Sequence, residues 1–212
     1  MSLQDFVEHA RDAGPSFRCY ACGDHLERLD FTARVANHLN APATKESLAT
    51  IDAWLGAAGR SFQQLYGLHD GMVLYRDLQP TKTPYLGAFY AAGIEFFPVT
   101  GWSARSEAMR EQLATMGWEE NQMPLWLKEG IAFGEIPHSA NFFVVAESER
   151  AGKIYYADHD DFRESPIAGD LDELLDRIRN DPADFLYQYG CYTRYSDGKT
   201  DTQWIPKEYA ST

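Results

Sequence analysis

The chain of 212 residues has little positive charge, few cysteines and no long hydrophobic run. Its 19 lysines and arginines stand against 32 aspartates and glutamates, which gives a formal net charge of −13. This charge repels the phosphates of nucleic acids and of anionic membranes at long range, so neither is expected as a partner. The apolar runs are shorter than the roughly 18 residues that span a bilayer, and the amino end lacks the layout of a signal peptide. We therefore expect a cytoplasmic protein.

Apolar and aromatic side chains are plentiful, at 44% and 14% of the chain. Together with the length, this content is enough to bury a sizeable core and argues against extended disorder. We expect a single domain over residues 1–212. It is divided into an N-terminal helical extension (1–43), a core (44–190) and a C-terminal tail (191–212).

Residues 141–178 carry the clearest local signals. Two short apolar runs, 141–146 and 153–157, are rich in β-branched and aromatic residues and are separated by polar turn residues. An acidic segment, 158–161, ends the second run, because short acidic side chains favour turns and are poor residues for a buried sheet. The pattern predicts two strands joined by a turn and followed by an acidic turn.

A helix is predicted directly after this acidic segment. Asp170 is expected to cap its first turn, with Glu173 completing an acidic variant of the capping box. Proline at position 182 ends it, because proline cannot continue the hydrogen-bond ladder. Its apolar residues fall at i, i+3, i+4 and i+7 and so share one face: Leu171, Leu174, Leu175 and Ile178.

The first third of the chain has a helical pattern. One helix covers residues 3–10, a second and weaker one covers 24–39, and Thr44 caps a third. Strand patterns begin at position 72 and predominate up to 157. Helices, then a meander, then a closing helix predict an α+β fold. We expect a mainly antiparallel sheet of about five to six strands with helices packed on one face, and extra N-terminal helices.

Four segments carry a resemblance to a known family: residues 62–71, 131–134, 153–160 and 167–175. Their order and their residue types are similar to the SMI1/KNR4 family, the core of the SUKH superfamily of bacterial immunity proteins. The resemblance implies an SMI1/KNR4-like core over 44–190. It also implies a non-enzymatic binding module that neutralises a cognate toxin by direct contact, or regulates cell-wall synthesis as fungal members do. No catalytic residue and no cofactor are implied.

The acidic segment and its surroundings offer the candidate partner contacts Asp158, Asp160, Asp161 and Glu164. Carboxylates there would attract a basic protein, such as a basic toxin domain. An alternative is a small metal-dependent hydrolase that uses this 158–164 loop with a remote histidine. The simpler interpretation is a turn of solvated acids that do not converge on one point.

Cys19, Cys22 and His25 form a C-x2-C-x2-H pattern, in which Gly23 supplies a tight turn. This spacing makes a zinc-stabilised regulatory adaptor a second alternative, although a closed site needs a fourth ligand. The favoured interpretation is that reduced cysteines pack as small apolar groups and that no metal is bound. The Gly-x-Ser-x-Gly motif and the phosphate-binding glycine loop are both absent from the sequence. The tryptophans are expected mainly in the core.

Overall fold

The computed structural model describes residues 3–11, 16–22, 29–77, 88–90, 93–137, 139–147, 151–162, 165–189, 194–196 and 201–206. The α-helices in this part of the chain are α1 (Leu3–Arg11), α2 (Lys45–Leu55), α3 (Arg60–Leu68), α4 (Trp102–Thr115), α5 (Leu125–Glu129), α6 (Leu171–Asn180) and α7 (Pro182–Gln188). The strands are β1 (Ser16–Cys22), β2 (Leu29–Leu39), β3 (Met72–Asp77), β4 (Ala88–Tyr90), β5 (Ile94–Phe96), β6 (Ile131–Ile136), β7 (Asn141–Val145), β8 (Ile154–Asp158), β9 (Asp161–Phe162), β10 (Arg194–Ser196) and β11 (Asp201–Pro206).

The described strands form one sheet in the order β4, β10, β11, β1, β2, β3, β5, β6, β7, β8, β9. Every neighbouring pair is antiparallel. The predicted α+β fold, with a sheet of about six strands packed by helices, is confirmed by β3 and β5 to β9. The sequence did not predict the remaining strands, which extend the sheet beyond β3.

Helices cover both faces of the central strands, whereas the sequence analysis expected them on one. Phe143 and Val145 belong to a large core cluster with side chains of α1, α2, α3, α6 and α7. Phe142 and Val144 point the other way, into a second cluster with side chains of α4 and α5. A strand with apolar residues at consecutive positions needs cover on both sides, and this accounts for the second layer.

Aromatic rings fill the large cluster. Phe133 lies 5.1 Å from the ring of Phe62 and 5.4 Å from that of Phe96. Trp102 is fully buried and contacts the ring of Tyr66 edge-on at 5.1 Å. In the second cluster Trp126 is buried and stacks on Tyr155 at 4.6 Å. These two tryptophans are therefore core residues, as expected.

The predicted helix over 24–39 is wrong, and so is the expectation of several N-terminal helices. Only α1 forms as predicted, and residues 29–39 form β2, which pairs with β1 and β3. Leu29, Phe31 and Val35 alternate with polar Asp30 and Arg34, a period of two that suits a strand. The segment 191–212, expected as a C-terminal tail, also contains paired strands, because β11 lies against β1 and β10 lies against β11.

The predicted helix caps at Thr44 and Asp170 are confirmed. Thr44 accepts a hydrogen bond from the Ser47 N–H, and Asp170 accepts one from the Glu173 N–H at 2.8 Å. The Glu173 carboxylate accepts from the N–H of Gly169, one residue before the cap, and so does not close the box on Asp170. The proline at 182 ends α6 but also begins α7, since its fixed φ suits the first turn of a helix.

Two glycines near the start of β3 should respond in opposite ways to alanine substitution. Gly71 has φ +84°, and a Cβ there would lie 2.6 Å from the Phe96 carbonyl oxygen, so Gly71→Ala should cost about 3 kcal/mol. Gly67 lies in α3 with open space around its Cα, so Gly67→Ala should stabilise by about 0.5 kcal/mol. Urea unfolding measures both values. Equal losses in the two variants would contradict this account.

Candidate contact surface at the acidic turn

Residues 158–161, here called the acidic turn, form a two-residue hairpin at the edge of the sheet. Asp158 pairs with Asp161, and His159 and Asp160 lie at the tip between β8 and β9. The Asp160 N–H donates to Asp158 Oδ1 at 3.1 Å, which is the local bond that makes aspartate a turn residue. The Asp158 and Asp160 side chains are 40% and 84% exposed. For Asp161 the structure gives the backbone pairing with Asp158. Glu164 lies outside the described residues.

Asn141 fixes the histidine of this turn. Its Oδ1 accepts from the His159 backbone N–H at 3.1 Å and lies 2.8 Å from His159 Nδ1. Its Nδ2 donates to the Tyr156 hydroxyl, which donates to the Tyr189 carbonyl at 2.8 Å. Because these partners orient the amide, its oxygen faces the ring and Nδ1 must carry the proton. The orientation of the ring is therefore fixed, and Nε2 lies on the side of Asp160.

Trp118 holds the turn from the other side. Its indole N–H donates to the His159 carbonyl at 2.9 Å, and its ring lies 4.3 Å from the ring of Phe162. Trp118 is half-buried, so it joins the turn to the loop that follows α4. The hydrogen bonds of His159 with Asn141 and Trp118 fix the position of the turn, while its tip stays exposed.

Three side chains of the turn converge, in contrast to the solvated, divergent acids that the sequence favoured. His159 Nδ1 lies 3.9 Å from Asp158 Oδ1, and Nε2 lies 3.5 Å from Asp160 Oδ1. One ligand atom from each of the three lies within 4.8 Å of the others, a spacing that a metal ion could use. The described residues add no fourth ligand to this group. What the turn presents is a set of hydrogen-bond acceptors with negative charge.

The loop between α4 and α5 carries Trp118 and exposed acidic residues. Glu119 and Glu120 follow Trp118 directly in the chain and are exposed. Because Trp118 is hydrogen-bonded to His159, this loop is joined to the acidic turn. Met116 and Leu125, at the two ends of the loop, are large apolar side chains that are 47% and 59% exposed. Exposed apolar side chains are common in protein contact surfaces.

The cysteine pattern is not folded as a zinc-binding turn. Cys19 and Cys22 both lie in the paired part of β1, opposite Pro206 and Gln203 of β11. An extended backbone separates them by about 10 Å along the strand. A C-x2-C zinc site instead needs a turn that brings its cysteines together. His25 lies outside the described residues.

A second carboxylate pair lies away from the turn, on β5 and β6. Glu95 is directly opposite Glu135, and Arg105 of α4 approaches Glu135 at 3.8 Å. Burial raises the pKa of Glu135, Arg105 partly offsets this, and the Glu95 charge raises the pKa further. Burial also raises the pKa of Glu147. Raised carboxyl pKa values are common at functional sites, but here a like charge on the neighbouring strand and partial burial explain the shift.

No helix in the described part of the chain has the length and apolar character needed to cross a membrane. No family model matches the sequence, and the curated proteins contain no match to it.

The sequence had predicted the position of the acidic turn but not the residues that hold it. Asn141 and Trp118 lie 18 and 41 residues before His159 in the chain. The register of the predicted hairpin could have found Asn141, since Phe142 pairs with Ala157 and so places Asn141 beside Asp158. Trp118 had no such signal, because its contact depends on how α4 and α5 pack on the sheet.

Replacing Asn141 with alanine should loosen the acidic turn without unfolding the sheet. The variant removes the acceptor for two N–H groups of His159 and the donor to Tyr156, so we expect a loss of about 1 to 2 kcal/mol. Amide signals of residues 158–161 should shift in a ¹H–¹⁵N spectrum. Asn121→Ala, at an exposed position, serves as the control and should leave both measurements unchanged. Unchanged turn signals in Asn141→Ala would contradict the assigned network.

Glu135→Gln should stabilise the protein at neutral pH and have no effect in acid. The folded pKa of Glu135 lies above its unfolded value, so the folded state binds the proton more tightly and stability falls as pH rises through that window. The amide removes this cost, and we expect a gain within about 1 kcal/mol at pH 7 that disappears near pH 3.5. Unfolding free energies at the two pH values measure it, with exposed Glu107→Gln as the control. A loss of stability at pH 7 would mean that the contact with Arg105 outweighs burial.

Proposed function

We propose that the protein is a non-enzymatic, cytoplasmic binding module that neutralises a cognate toxin by direct contact, as bacterial immunity proteins do. The resemblance to the SMI1/KNR4 family motivates the toxin as partner. The observation that carries the proposal is the acidic turn, where exposed acceptors are held in place by Asn141 and Trp118. A partner of opposite charge fits this surface.

The partner is expected to be basic. The formal charge of −13 would draw a cationic protein from a distance, which mainly raises the association rate. At close range Asp158 and Asp160 accept hydrogen bonds from lysine or arginine side chains. The exposed Met116 and Leu125, at the ends of the loop that carries Trp118, offer apolar contact.

A metal-dependent hydrolase is the alternative, and the convergence of Asp158, His159 and Asp160 is the observation in its favour. Catalytic groups work best where water is excluded and electrostatic interactions are strong. Asp160 is 84% exposed at the tip of a hairpin, which is an unfavourable environment for such chemistry. The same exposure is an advantage for contact with a protein.

The decisive experiment is affinity capture of the protein encoded beside this one, followed by surface plasmon resonance. Asp158→Asn with Asp160→Asn should lower affinity at least about tenfold at low salt, mostly through slower association. Asparagine at position 158 keeps the Oδ1 that accepts the backbone N–H of residue 160, so the turn itself is retained. Asp52→Asn with Glu107→Gln changes the net charge equally at exposed positions elsewhere and should have little effect.

Two outcomes would count against the proposal. A neighbouring protein that neither binds nor is neutralised would remove the immunity role. Hydrolysis that requires an added divalent cation and is lost in the double variant would favour the hydrolase instead. Equal binding by both double variants would keep the binding role but move the contact away from the acidic turn.

A further inference from the structure

His69 is a buried histidine that the acidic turn does not use. It lies between α3 and β3 and is 8% exposed. Its Nδ1 is 2.5 Å from the Asn40 carbonyl oxygen, and its Nε2 is 3.0 Å from Nη2 of Arg11. A carbonyl only accepts and a guanidinium only donates, so Nδ1 carries the proton and Nε2 accepts. The contacts therefore select one neutral tautomer.

The partner of Nε2 is the last residue of α1. This helix lies against α3, α6 and β2 and buries Phe6, Val7 and Ala10. Within the described residues, two polar contacts hold its C-terminal end: the Arg11 contact with His69, and a hydrogen bond from Asn37 Nδ2 to the Ala10 carbonyl at 3.2 Å. Only the first depends on the protonation state of a side chain.

Protonation of Nε2 would replace the acceptor with a second cation next to the Arg11 guanidinium. Among the described residues, Asp70 follows His69 in the chain and Tyr66 of α3 lies one helical turn before it. Burial raises the pKa of Tyr66, so its hydroxyl stays neutral. Asp70 attracts an imidazolium, but its Oδ1 already accepts the Val99 N–H at 2.9 Å. Arg11 is the group in direct contact with Nε2, so the electrostatic repulsion acts on the end of α1.

We propose that His69 is an acid-sensitive latch for α1, in which a proton taken from solvent at Nε2 breaks the contact with Arg11 and loosens the C-terminal turn of the helix. This device is independent of the toxin-binding role. The effect is graded, because the buried Phe6 and Val7 still hold the helix on the core. We expect the local opening equilibrium of α1 to rise about tenfold between pH 7.5 and about pH 5.5.

Hydrogen exchange of the α1 amides tests the latch in the full-length protein. Protection factors of residues 7–11, corrected for intrinsic exchange rates, should fall about tenfold between pH 7.5 and about pH 5.5. His69→Gln keeps an acceptor near the Nε2 position and cannot be protonated, so its protection should not depend on pH. His38→Gln, at an exposed histidine of β2, should behave like the wild type.

Arg11→Gln tests the same contact and can be measured even if His69→Gln does not fold. Arg11→Gln removes the cation that opposes protonation, so α1 should lose the pH dependence while Phe6 and Val7 keep it docked. Wild-type protection that does not change with pH would overturn the latch. So would a pH dependence of equal size in Arg11→Gln, because the change would then not arise from the contact between Arg11 and His69.

Discussion

Three chain segments meet at residues 69–71, and this junction holds the central strands of the sheet together. The Asp70 N–H donates to the Ala41 carbonyl at 2.8 Å, and Asp70 Oδ1 accepts from Val99 at 2.9 Å. The Gly71 carbonyl accepts from the Asn40 N–H, and its Cα lies too close to the Phe96 carbonyl for any side chain. These contacts join the end of β2, the start of β3 and the end of β5. The strand order β2, β3, β5 is therefore fixed where α3 enters the sheet.

Local signals predicted the segments whose structure is decided locally. The strands at β7 and β8 and the helix α6 were predicted because each has its own apolar period and, for α6, a cap at Asp170. The segment that forms β2 has a helical pattern as well as an alternation of period two, because its few apolar residues also fit one face of a helix. Its place in the sheet depends on β1, which in turn pairs with β11 at 201–206, far away in the chain. No local pattern reports a pairing over such a distance, and β4 and β9 are too short to show any period.

The candidate surface also combines features that are decided locally with features that depend on distant parts of the chain. The sequence places Asp158 and Asp160 in a turn because aspartates favour turns, but it gives no contact for His159. In the structure its ring is held by Asn141, and its carbonyl is held by Trp118. Those contacts come from the register of β7 on β8 and from the packing of the loop after α4. The composition of a site is thus readable from the sequence, whereas the geometry that orders it depends on tertiary packing.

The packing of the sheet also decides where a partner can bind. Helices occupy both faces of the strands from β6 to β8, so the centre of the sheet is closed to other molecules. Beyond β8 lies one edge of the sheet, which β9 forms with two residues, one of them Asp161. Charge on a short edge strand discourages further strand pairing, which would lead to aggregation. A turn that is already ordered also loses little conformational entropy when a partner binds. The charge that discourages strand pairing at this edge is therefore the same charge that the proposed contact with a basic protein would use.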